Sequence, residues 1–261
     1  MTDIYQEIVR IKAEGEEAAL VTIVSATGST PREEGAKMLV KADGGILGTI
    51  GGGSLEAEVI EAAIGVIDQG KPKRLRISLT ANEIEEEGML CGGELEVFIE
   101  PILSPPTLYL FGGGHISLPL AKIGKLLGFK IVVVEDRAEF ANPDRFPEAR
   151  IVLADDFAKS FLKLKIDKSS YIVIATRNHQ YDEIVLEWAA GTPAKYIGMI
   201  GSKTKTAAIF SNLLAKGISR EQLDKVHAPI GLGIHAQTPE EIAVSILAEI
   251  IKIRRSPQGF Q

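Results

Sequence analysis

The sequence predicts an α/β protein: a small mixed α/β N-terminal domain followed by a Rossmann-like domain with a doubly wound parallel sheet. From residue 107 onward, short runs rich in Val and Ile alternate with helix-length segments, which is the pattern of parallel strands joined by right-handed crossovers. Between the halves, Ser104-Pro105-Pro106 separates two strand-like runs, and consecutive prolines end a strand and stiffen a short connection. We therefore expect one domain over residues 1–103 and another over 107–261.

The N-terminal domain is expected to combine helices with short strands. Isoleucines at helical spacing predict a helix over residues 3–14, and apolar residues along one side predict another over 54–69. Asp43-Gly44-Gly45 is a turn signal between them. The predicted strands are 18–24, 36–40, 75–79 and 94–100.

The C-terminal domain is expected to alternate strictly between strands and helices. The predicted strands are 107–111, 130–134, 150–153, 171–175 and 195–199, and the predicted helices lie near 115–128, 157–162, 181–190 and 203–216. A last helix begins at Pro239, because Thr238 is a good N-cap, proline suits the first helical position and Glu241 can close a capping box.

The composition argues against several classes of protein. The 261 residues include 29 basic and 35 acidic side chains, a net charge of −6, whereas nucleic-acid binders usually carry a basic excess. No apolar run reaches the roughly 18 residues that a membrane span needs. With Cys91 as its one cysteine and no recognisable secretory signal, the chain is expected to work in the reducing cytoplasm.

The sharpest local motif is the glycine run that follows the first strand of the C-terminal domain. Gly112-Gly113-Gly114-His115-Ile116-Ser117 matches the dinucleotide fingerprint Gly-x-Gly-x-x-Gly, with a serine in the third glycine position. Glu135 and Asp136 end the next strand, where a ribose-binding carboxylate would stand. Gly112, Gly114, His115 and Asp136 are therefore candidate binding residues. The alternative is a Rossmann-like domain that binds no dinucleotide.

Other polar groups follow neighbouring strands and are expected at the same edge of the sheet. Gly201-Ser202-Lys203 joins a strand to a helix, so Ser202 and Lys203 are candidates for holding an anion at a helix N-terminus. The alternative is an ordinary capped turn with Lys203 in solvent. His115 and His179 either face one crevice or bond to nearby carbonyl groups.

The N-terminal domain contains a second glycine run before a predicted helix, Gly51-Gly52-Gly53-Ser54. Gly52, Gly53 and Ser54 are candidate binding residues there. The alternative is that Ser54 only caps the helix.

Two further segments of this domain could contact the same ligand. After a strand, Ser29, Thr30 and Arg32 bring two hydroxyls and a guanidinium that could pair with a phosphate. Cys91 lies close to glycines and is either a reachable thiol or an inert one. The alternative for residues 28–32 is a polar turn without a ligand.

Motifs of common hydrolases and zinc sites are missing from the sequence. It contains no His-Glu-x-x-His, no Cys-x-x-Cys and no Gly-x-Ser-x-Gly, and its glycine runs lack the Gly-Lys-Ser/Thr ending of a P-loop. A hydrolase of a familiar class and a structural zinc site are therefore not supported.

The order and spacing of these motifs resemble the xanthine dehydrogenase accessory protein family (XdhC/CoxI) over nearly the whole chain. The matching segments are Gly28-Ser29-Thr30-Pro31-Arg32, Gly35-Ala36-Lys37-Met38, Gly51-Gly52-Gly53-Ser54-Leu55-Glu56, Cys91-Gly92-Gly93, Glu100-Pro101, Phe111-Gly112-Gly113-Gly114-His115, Glu135-Asp136-Arg137, Tyr196-Ile197-Gly198-Met199-Ile200-Gly201-Ser202-Lys203, His227-Ala228-Pro229-Ile230-Gly231 and Thr238-Pro239-Glu240-Glu241-Ile242-Ala243.

The resemblance implies a maturation factor rather than an enzyme. Such proteins are understood to bind the molybdenum cofactor, to protect it while its sulfido ligand is installed, and to pass it to a molybdenum hydroxylase such as xanthine dehydrogenase. The implied partners are that hydroxylase, a cysteine desulfurase and a second copy of the chain in a homodimer. Many members have cysteine where this chain has Ser54, which leaves Cys91 as the possible thiolate contact.

Two other functions stay open at this point. An NAD(P)-linked oxidoreductase would use the same glycine run with Asp136 and His115, although no acid–base pair for hydride transfer is evident in the N-terminal domain. A scaffold protein that uses the fold only to dimerise would need neither.

Overall fold

The computed structural model describes residues 3–78, 93–147, 149–153 and 156–255. The chain divides into two compact units, Met1–Ser104 (unit 1) and Pro105–Gln261 (unit 2). Among the described residues, no helix combines the length and apolar character needed to cross a membrane.

Unit 1 is an antiparallel sheet covered by a helix on each face. Its elements are α1 (Ile4–Glu14), β1 (Ala18–Gly28), β2 (Lys37–Lys41), β3 (Ile46–Gly48), α2 (Gly53–Gln69), β4 (Lys73–Ser78) and β5 (Gly93–Ile102). The described strands lie in the order β3-β2-β1-β5-β4. Side chains alternate along β1, so Val21 and Ile23 pack under α2, whereas Leu20 packs with Ile11 of α1. This alternation makes β1 the centre of both cores.

Unit 2 is a six-stranded sheet, β11-β10-β9-β6-β7-β8, in which every paired strand is parallel. Its elements are β6 (Thr107–Phe111), α3 (Ser117–Leu126), β7 (Lys130–Glu135), β8 (Arg150–Leu153), α4 (Phe157–Ser160), a 3₁₀ helix (Phe161–Lys163), β9 (Ser170–Ile174), α5 (His179–Ala189), β10 (Tyr196–Met199), α6 (Lys203–Ala215), α7 (Arg220–Asp224), β11 (Val226–His227) and α8 (Pro239–Arg255). If β6 to β11 are numbered 1 to 6, the order read from β8 to β11 is 3-2-1-4-5-6. This is the doubly wound Rossmann order. The predicted fold class is confirmed.

The sheet of unit 2 separates two apolar layers. One layer joins β6 and β9 to α5 and α6 through Phe111, Leu186 and Leu213. The other joins them to α3 and α8 through Leu120 and Ile246. The chain leaves β6 and β9 for opposite sides of the sheet, so the topological switch point lies between their carboxyl ends.

The helix signals predicted at residue 238 are confirmed, and three short elements were not predicted. Thr238 Oγ1 accepts a hydrogen bond from the Glu241 amide at 3.2 Å, and Glu241 Oε2 accepts one from the Thr238 amide at 3.1 Å. By contrast, β3, α7 and β11 are only 3, 5 and 2 residues long, too short to show a hydrophobic period.

Candidate functional site

The glycine loop after β6 combines two packed glycines with one open glycine. Gly112 has a φ of +108°, and an added methyl group would overlap the Ala175 carbonyl beyond the neighbouring strand β9. A methyl group on Gly113 would overlap the Phe140 carbonyl, whereas the same position on Gly114 meets only open space. A ligand can therefore approach the backbone of this loop at Gly114.

A buried carboxylate holds the packed part of this loop. Glu135, 2% exposed at the end of β7, accepts the Gly113 amide at 2.7 Å through Oε2. Its Oε1 accepts from Arg137 Nε at 3.0 Å. Arg145 donates to the Gly113 carbonyl at 3.1 Å. Both polar groups of the Gly113 backbone therefore already have partners within the unit.

Asp136 lies at one side of the switch point and is held by an arginine from the other side. Asp136 Oδ2 is 2.7 Å from Arg177 Nη2, and these residues follow β7 and β9, the strands that flank β6. Asp136 Oδ1 is buried and has no hydrogen-bond partner among the described residues; its ion pair with Arg137 Nε is longer, at 3.6 Å. Oδ1 is thus an acceptor that a ligand N–H or O–H group could satisfy.

The charge state of Asp136 follows from competing effects. Burial acts to raise the pKa of its carboxyl, but hydrogen bonds to the carboxylate and the charge of the Arg177 guanidinium outweigh burial and keep the pKa below its ordinary value. Asp136 therefore stays an acceptor at neutral pH.

Helix α3 begins beside the open glycine without the side-chain cap that α5 and α6 have. Its N-cap is Ile116, no side chain caps it, and its first turn contains no acidic residue. Ser117, in the third fingerprint position, is buried and donates its hydroxyl to the Gly112 carbonyl at 2.5 Å. His115 is exposed at the start of the helix. The amides of Ser117 and Leu118 are therefore suited to an anion, whereas Pro119, the third residue of the helix, has no amide hydrogen.

Ser202 caps α6 at the end of the preceding loop. The lysine held by an ion pair there is Lys205, whereas the sequence analysis had proposed Lys203. Ser202 Oγ accepts the Lys205 amide at 3.2 Å, and Lys203 is exposed. Lys205 Nζ instead contacts the fully buried Asp182 at 2.5 Å. Asp182 also accepts the Thr176 amide at 3.1 Å. This pair fixes the loops after β9 and β10, and the sequence offered no signal for it.

In unit 1, segments that are far apart in the sequence meet at one end of the sheet. An added Cβ on Gly51 would lie 3.0 Å from the Pro31 Cβ. Gly93, the first residue of β5, pairs with Gly28 of β1, and its added Cβ would lie 2.9 Å from Thr30 Cγ2. Two of the predicted glycine segments thus adjoin the predicted hydroxyl segment. Cys91 lies outside the described residues.

The glycine loop of unit 1 is also held by a carboxylate of the same chain. Glu56 Oε1 accepts the Ile50 amide at 3.0 Å. Burial acts to raise the pKa of Glu56, but hydrogen bonds from the Thr49 hydroxyl and from the backbone amides of Ile50, Gly52 and Gly51 outweigh burial and leave the pKa below its ordinary value. Some of the backbone amides that were expected to bind a ligand therefore already donate to groups of the chain itself.

Ser54 is not the N-cap of α2, although that was the alternative that the sequence left open. Gly52, not Ser54, is the N-cap, with a φ of +87° and no side-chain cap. A methyl group at Gly52 would meet only open space. Gly53, with a φ of +64°, begins the helix, and Ser54 is exposed in its first turn.

Beside these segments lies a cleft of about 530 Å³. Its described lining residues are Ala26, Gly28, Ser29, Thr30, Glu33 and Glu34. Ser29 and Thr30 were predicted as site residues, but the two glutamates were missed, although they follow Pro31-Arg32 directly. Arg32 is exposed and is not among those lining residues.

No metal centre is evident in the described ranges. Within them, no group of three or more His, Cys, Asp or Glu side chains is placed to hold a metal ion.

Fold and site together define a class of protein: an antiparallel α/β unit followed by a Rossmann unit, each with a glycine loop that opens at a helix N-terminus. The family model described as the XdhC Rossmann domain matches residues 108–250. The model of the XdhC and CoxI family matches residues 11–78. The chain belongs to the XdhC and CoxI family.

Similar proteins occur in several bacteria. Identity is 36% to the uncharacterized protein YqeB of Escherichia coli K12, over 98% of this chain and 47% of that protein. It is 30% to a protein of Bacillus subtilis named as a probable xanthine dehydrogenase subunit, over 61% of this chain and 46% of that protein. The alignments thus span about half the length of these two relatives.

Two further similarities extend over nearly the whole chain. The molybdenum cofactor insertion chaperone PaoD of Escherichia coli K12 is 23% identical, over 97% of this chain and 90% of that protein. A solved structure described as a xanthine dehydrogenase from Bacillus halodurans is 24% identical, with a TM-score of 0.55, over 99% of this chain and 97% of that chain. The solved structure supports the fold.

Proposed function

We propose that this protein is an accessory factor for a xanthine dehydrogenase-type molybdenum hydroxylase, and that it binds the molybdenum cofactor before the hydroxylase receives it. Family membership supports this role, as do one relative named as a probable xanthine dehydrogenase subunit and another named as a molybdenum cofactor insertion chaperone. The structural observation that carries the proposal is the buried Asp136 Oδ1 near the carboxyl end of β6, which lacks a hydrogen-bond partner within the described part of the chain.

The donors and acceptors of unit 2 fit such a cofactor, which combines a pterin with a phosphate. The uncapped N-terminus of α3, open at Gly114, suits the phosphate. Asp136 Oδ1 suits an N–H or O–H donor of the ligand. Gly112 shapes the loop, while His115, Ser202 and Lys203 are proposed to contact the ligand from the same edge of the sheet.

A second contact region is proposed in unit 1, around Gly52, Gly53 and Ser54 with Ser29, Thr30 and Arg32. Cys91 is the proposed thiol contact. The finer parts of the proposal are cofactor sulfuration with a cysteine desulfurase, a homodimeric state and a cytoplasmic location, without an enzymatic activity of the chain's own.

Anaerobic titration with molybdenum cofactor released from a purified hydroxylase tests the proposal. We expect saturable binding by the wild type and about tenfold or greater weakening by Asp136→Asn, because a neutral amide replaces the charged acceptor. Asp144→Asn, an exposed acid of the segment after β7, should bind like the wild type. Absence of saturable binding by the wild type would end the proposal.

An NAD(P)-linked oxidoreductase is the second candidate, favoured by the Rossmann strand order and by Asp136 directly after the second strand of unit 2. A thermal shift with NAD⁺ and NADP⁺ separates the candidates, since ligand at about 100 times its Kd adds roughly 2.7 kcal/mol of stability. We expect no shift at millimolar dinucleotide, and a clear shift would favour the oxidoreductase.

A further inference from the structure

We infer that the outer face of α8 packs against the same face of a second copy of the chain, with the two helices antiparallel. The inference rests on the homodimeric state in the proposed function and deepens it, because it assigns the surface that joins the two copies. It concerns unit 2 alone.

Helix α8 has apolar residues on its outer face as well as on its inner face. Ala243, Ile246 and Ile250 of the inner face lie in the core of unit 2. On the outer face, Val244 is 49% exposed and Ile251 is 38% exposed. These two residues are seven positions apart, so they lie on the same side of the helix. Helix α8 thus keeps apolar surface that the rest of the chain leaves uncovered.

Five residues form an outer stripe along α8, and the charged ones lie at its two ends. In chain order they are Glu240, Val244, Ala248, Ile251 and Arg255, at spacings of four, four, three and four residues, which follow one side of a helix. All five are at least partly exposed. The stripe is therefore acidic at the first turn, apolar in the middle and basic at the last turn.

This outer stripe is complementary to itself when two copies run in opposite directions. A two-fold axis beside Ala248 places Val244 of one copy opposite Ile251 of the other. The same axis places Glu240 opposite Arg255, because both pairs of positions have the same midpoint in the sequence. A parallel arrangement would instead bring like charges together. A face that fits an identical face in this way is what a closed two-fold dimer requires.

The length of the outer stripe agrees with a dimer contact. The 17 residues of α8 span about 25 Å, and a standard interface of about 800 Å² per partner is roughly 30 Å across. Leu126 of α3, 86% exposed, adds apolar surface near the last turn of α8, where Arg254 donates to the Leu127 carbonyl at 3.4 Å. The exposed apolar surface therefore extends over about the length that such an interface needs.

Sedimentation velocity of the full-length protein tests the inference with two variants, Val244→Lys and Ile251→Glu. Each variant places a charge in the apolar middle of the contact, twice per dimer by symmetry, so we expect the Kd for dimerisation to rise about hundredfold or more. The new lysine lies four residues after Glu240 and the new glutamate four before Arg255, spacings that support the helix. Val9→Lys, at a 68% exposed valine of α1, is the matched control and should leave the Kd unchanged.

A mixture of the two variants tests the antiparallel arrangement itself. In a mixed pair, the new lysine of one copy faces the new glutamate of the other, while the native Val244 faces the native Ile251. We expect the mixture to recover dimers that neither variant forms alone. A mixture that stays monomeric overturns the inference, as do single variants that remain dimeric with an unchanged thermal midpoint.

These outcomes separate the inference from the proposed function. If the single variants remain dimeric, the homodimer uses another surface and the proposed function stands. A wild type that sediments as a monomer removes both the homodimeric state and the inference. Titration of the same wild-type protein with molybdenum cofactor reports on the accessory role independently of its oligomeric state.

Discussion

The glycine loops of the two units reach a similar arrangement by different routes. Each gives backbone amides to a carboxylate of the chain, and each has an open glycine near a helix N-terminus without a side-chain cap. In unit 1 the carboxylate, Glu56, belongs to the helix that follows the loop. In unit 2 the carboxylate, Glu135, comes from the next strand, and backbone of two other loops packs on the glycines.

The two loops differ in where the carboxylate that holds them comes from: the same loop–helix segment in unit 1, and a separate strand in unit 2. The loop at Gly51 is bonded to Thr49 and Glu56, which are close in sequence, and it also packs on Pro31. The loop at Gly112 needs strands β7 and β9 in place on either side. Substitutions in unit 2 should therefore cost more stability, and the following predictions test that contrast.

The largest effect is expected for Gly112→Ala. The new methyl group would overlap the Ala175 carbonyl, and the φ of +108° disfavours any side chain. We expect a loss of about 3 kcal/mol or more in the free energy of unfolding, measured by denaturant titration. Gly114→Ala, with open space around the added methyl group, should change stability by less than about 1 kcal/mol. Equal losses in both variants would refute the distinction between packed and open glycines.

Glu135→Gln should destabilise more than Glu56→Gln. Glu135 is buried and accepts bonds from both Gly113 and Arg137, so replacing it is expected to cost about 2–3 kcal/mol. Replacing the part-buried Glu56 should cost about 1 kcal/mol, since Thr49 and Ile50 both donate to Oε1 and Gln keeps one acceptor oxygen. Chemical unfolding of each variant against the wild type measures the difference. A larger loss at Glu56 would reverse the comparison.

Ser202→Ala should have a smaller effect than either loop substitution in unit 2. The Ser202 hydroxyl oxygen accepts the Lys205 amide at the start of α6, and loss of such a cap costs about 1 kcal/mol. Ser202→Asp should restore the stability, because aspartate also caps helices. If alanine left the thermal midpoint unchanged, the cap would not contribute to stability.

The smallest effect is a change in acid stability through Glu56. Its pKa is lowered in the folded protein, so the folded state binds fewer protons there than the unfolded state. The stability it contributes is present above the unfolded pKa of about 4.3 and is lost as the pH falls through the lowered folded value. We expect Glu56→Gln to flatten the fall in stability as the pH drops below about 5, measured by thermal unfolding at a series of pH values. Glu61→Gln should retain the slope of the wild type.

The alternation of strands and helices could be predicted because each long element has a hydrophobic period. The capping box at Thr238 and Glu241 was readable as well, because its partners are three residues apart. The contacts that complete the site were not readable, because they join distant positions. Asp136 meets Arg177 across the sheet, and Lys205 rather than Lys203 meets a buried acid, Asp182.

The two glycine motifs were recognised for the amides they offer to a ligand. A sequence does not reveal that internal carboxylates take some of those amides. Glu135 was noted only as a strand-end carboxylate and Glu56 only as part of a family motif, and the fold makes them partners of the loops. The cleft glutamates Glu33 and Glu34 were missed for the same reason. Their place in its lining depends on a concave surface that has no sequence pattern.

Transfer of bound cofactor is the most direct test of the account. The wild-type protein, loaded anaerobically with molybdenum cofactor and freed of excess, would be mixed with a cofactor-free xanthine dehydrogenase-type hydroxylase. We predict that hydroxylase activity appears in proportion to the loaded protein, and that Asp136→Asn delivers about a tenth as much at equal cofactor concentration. No activity above that from the same amount of free cofactor, with wild type and variant alike, would contradict the central claim.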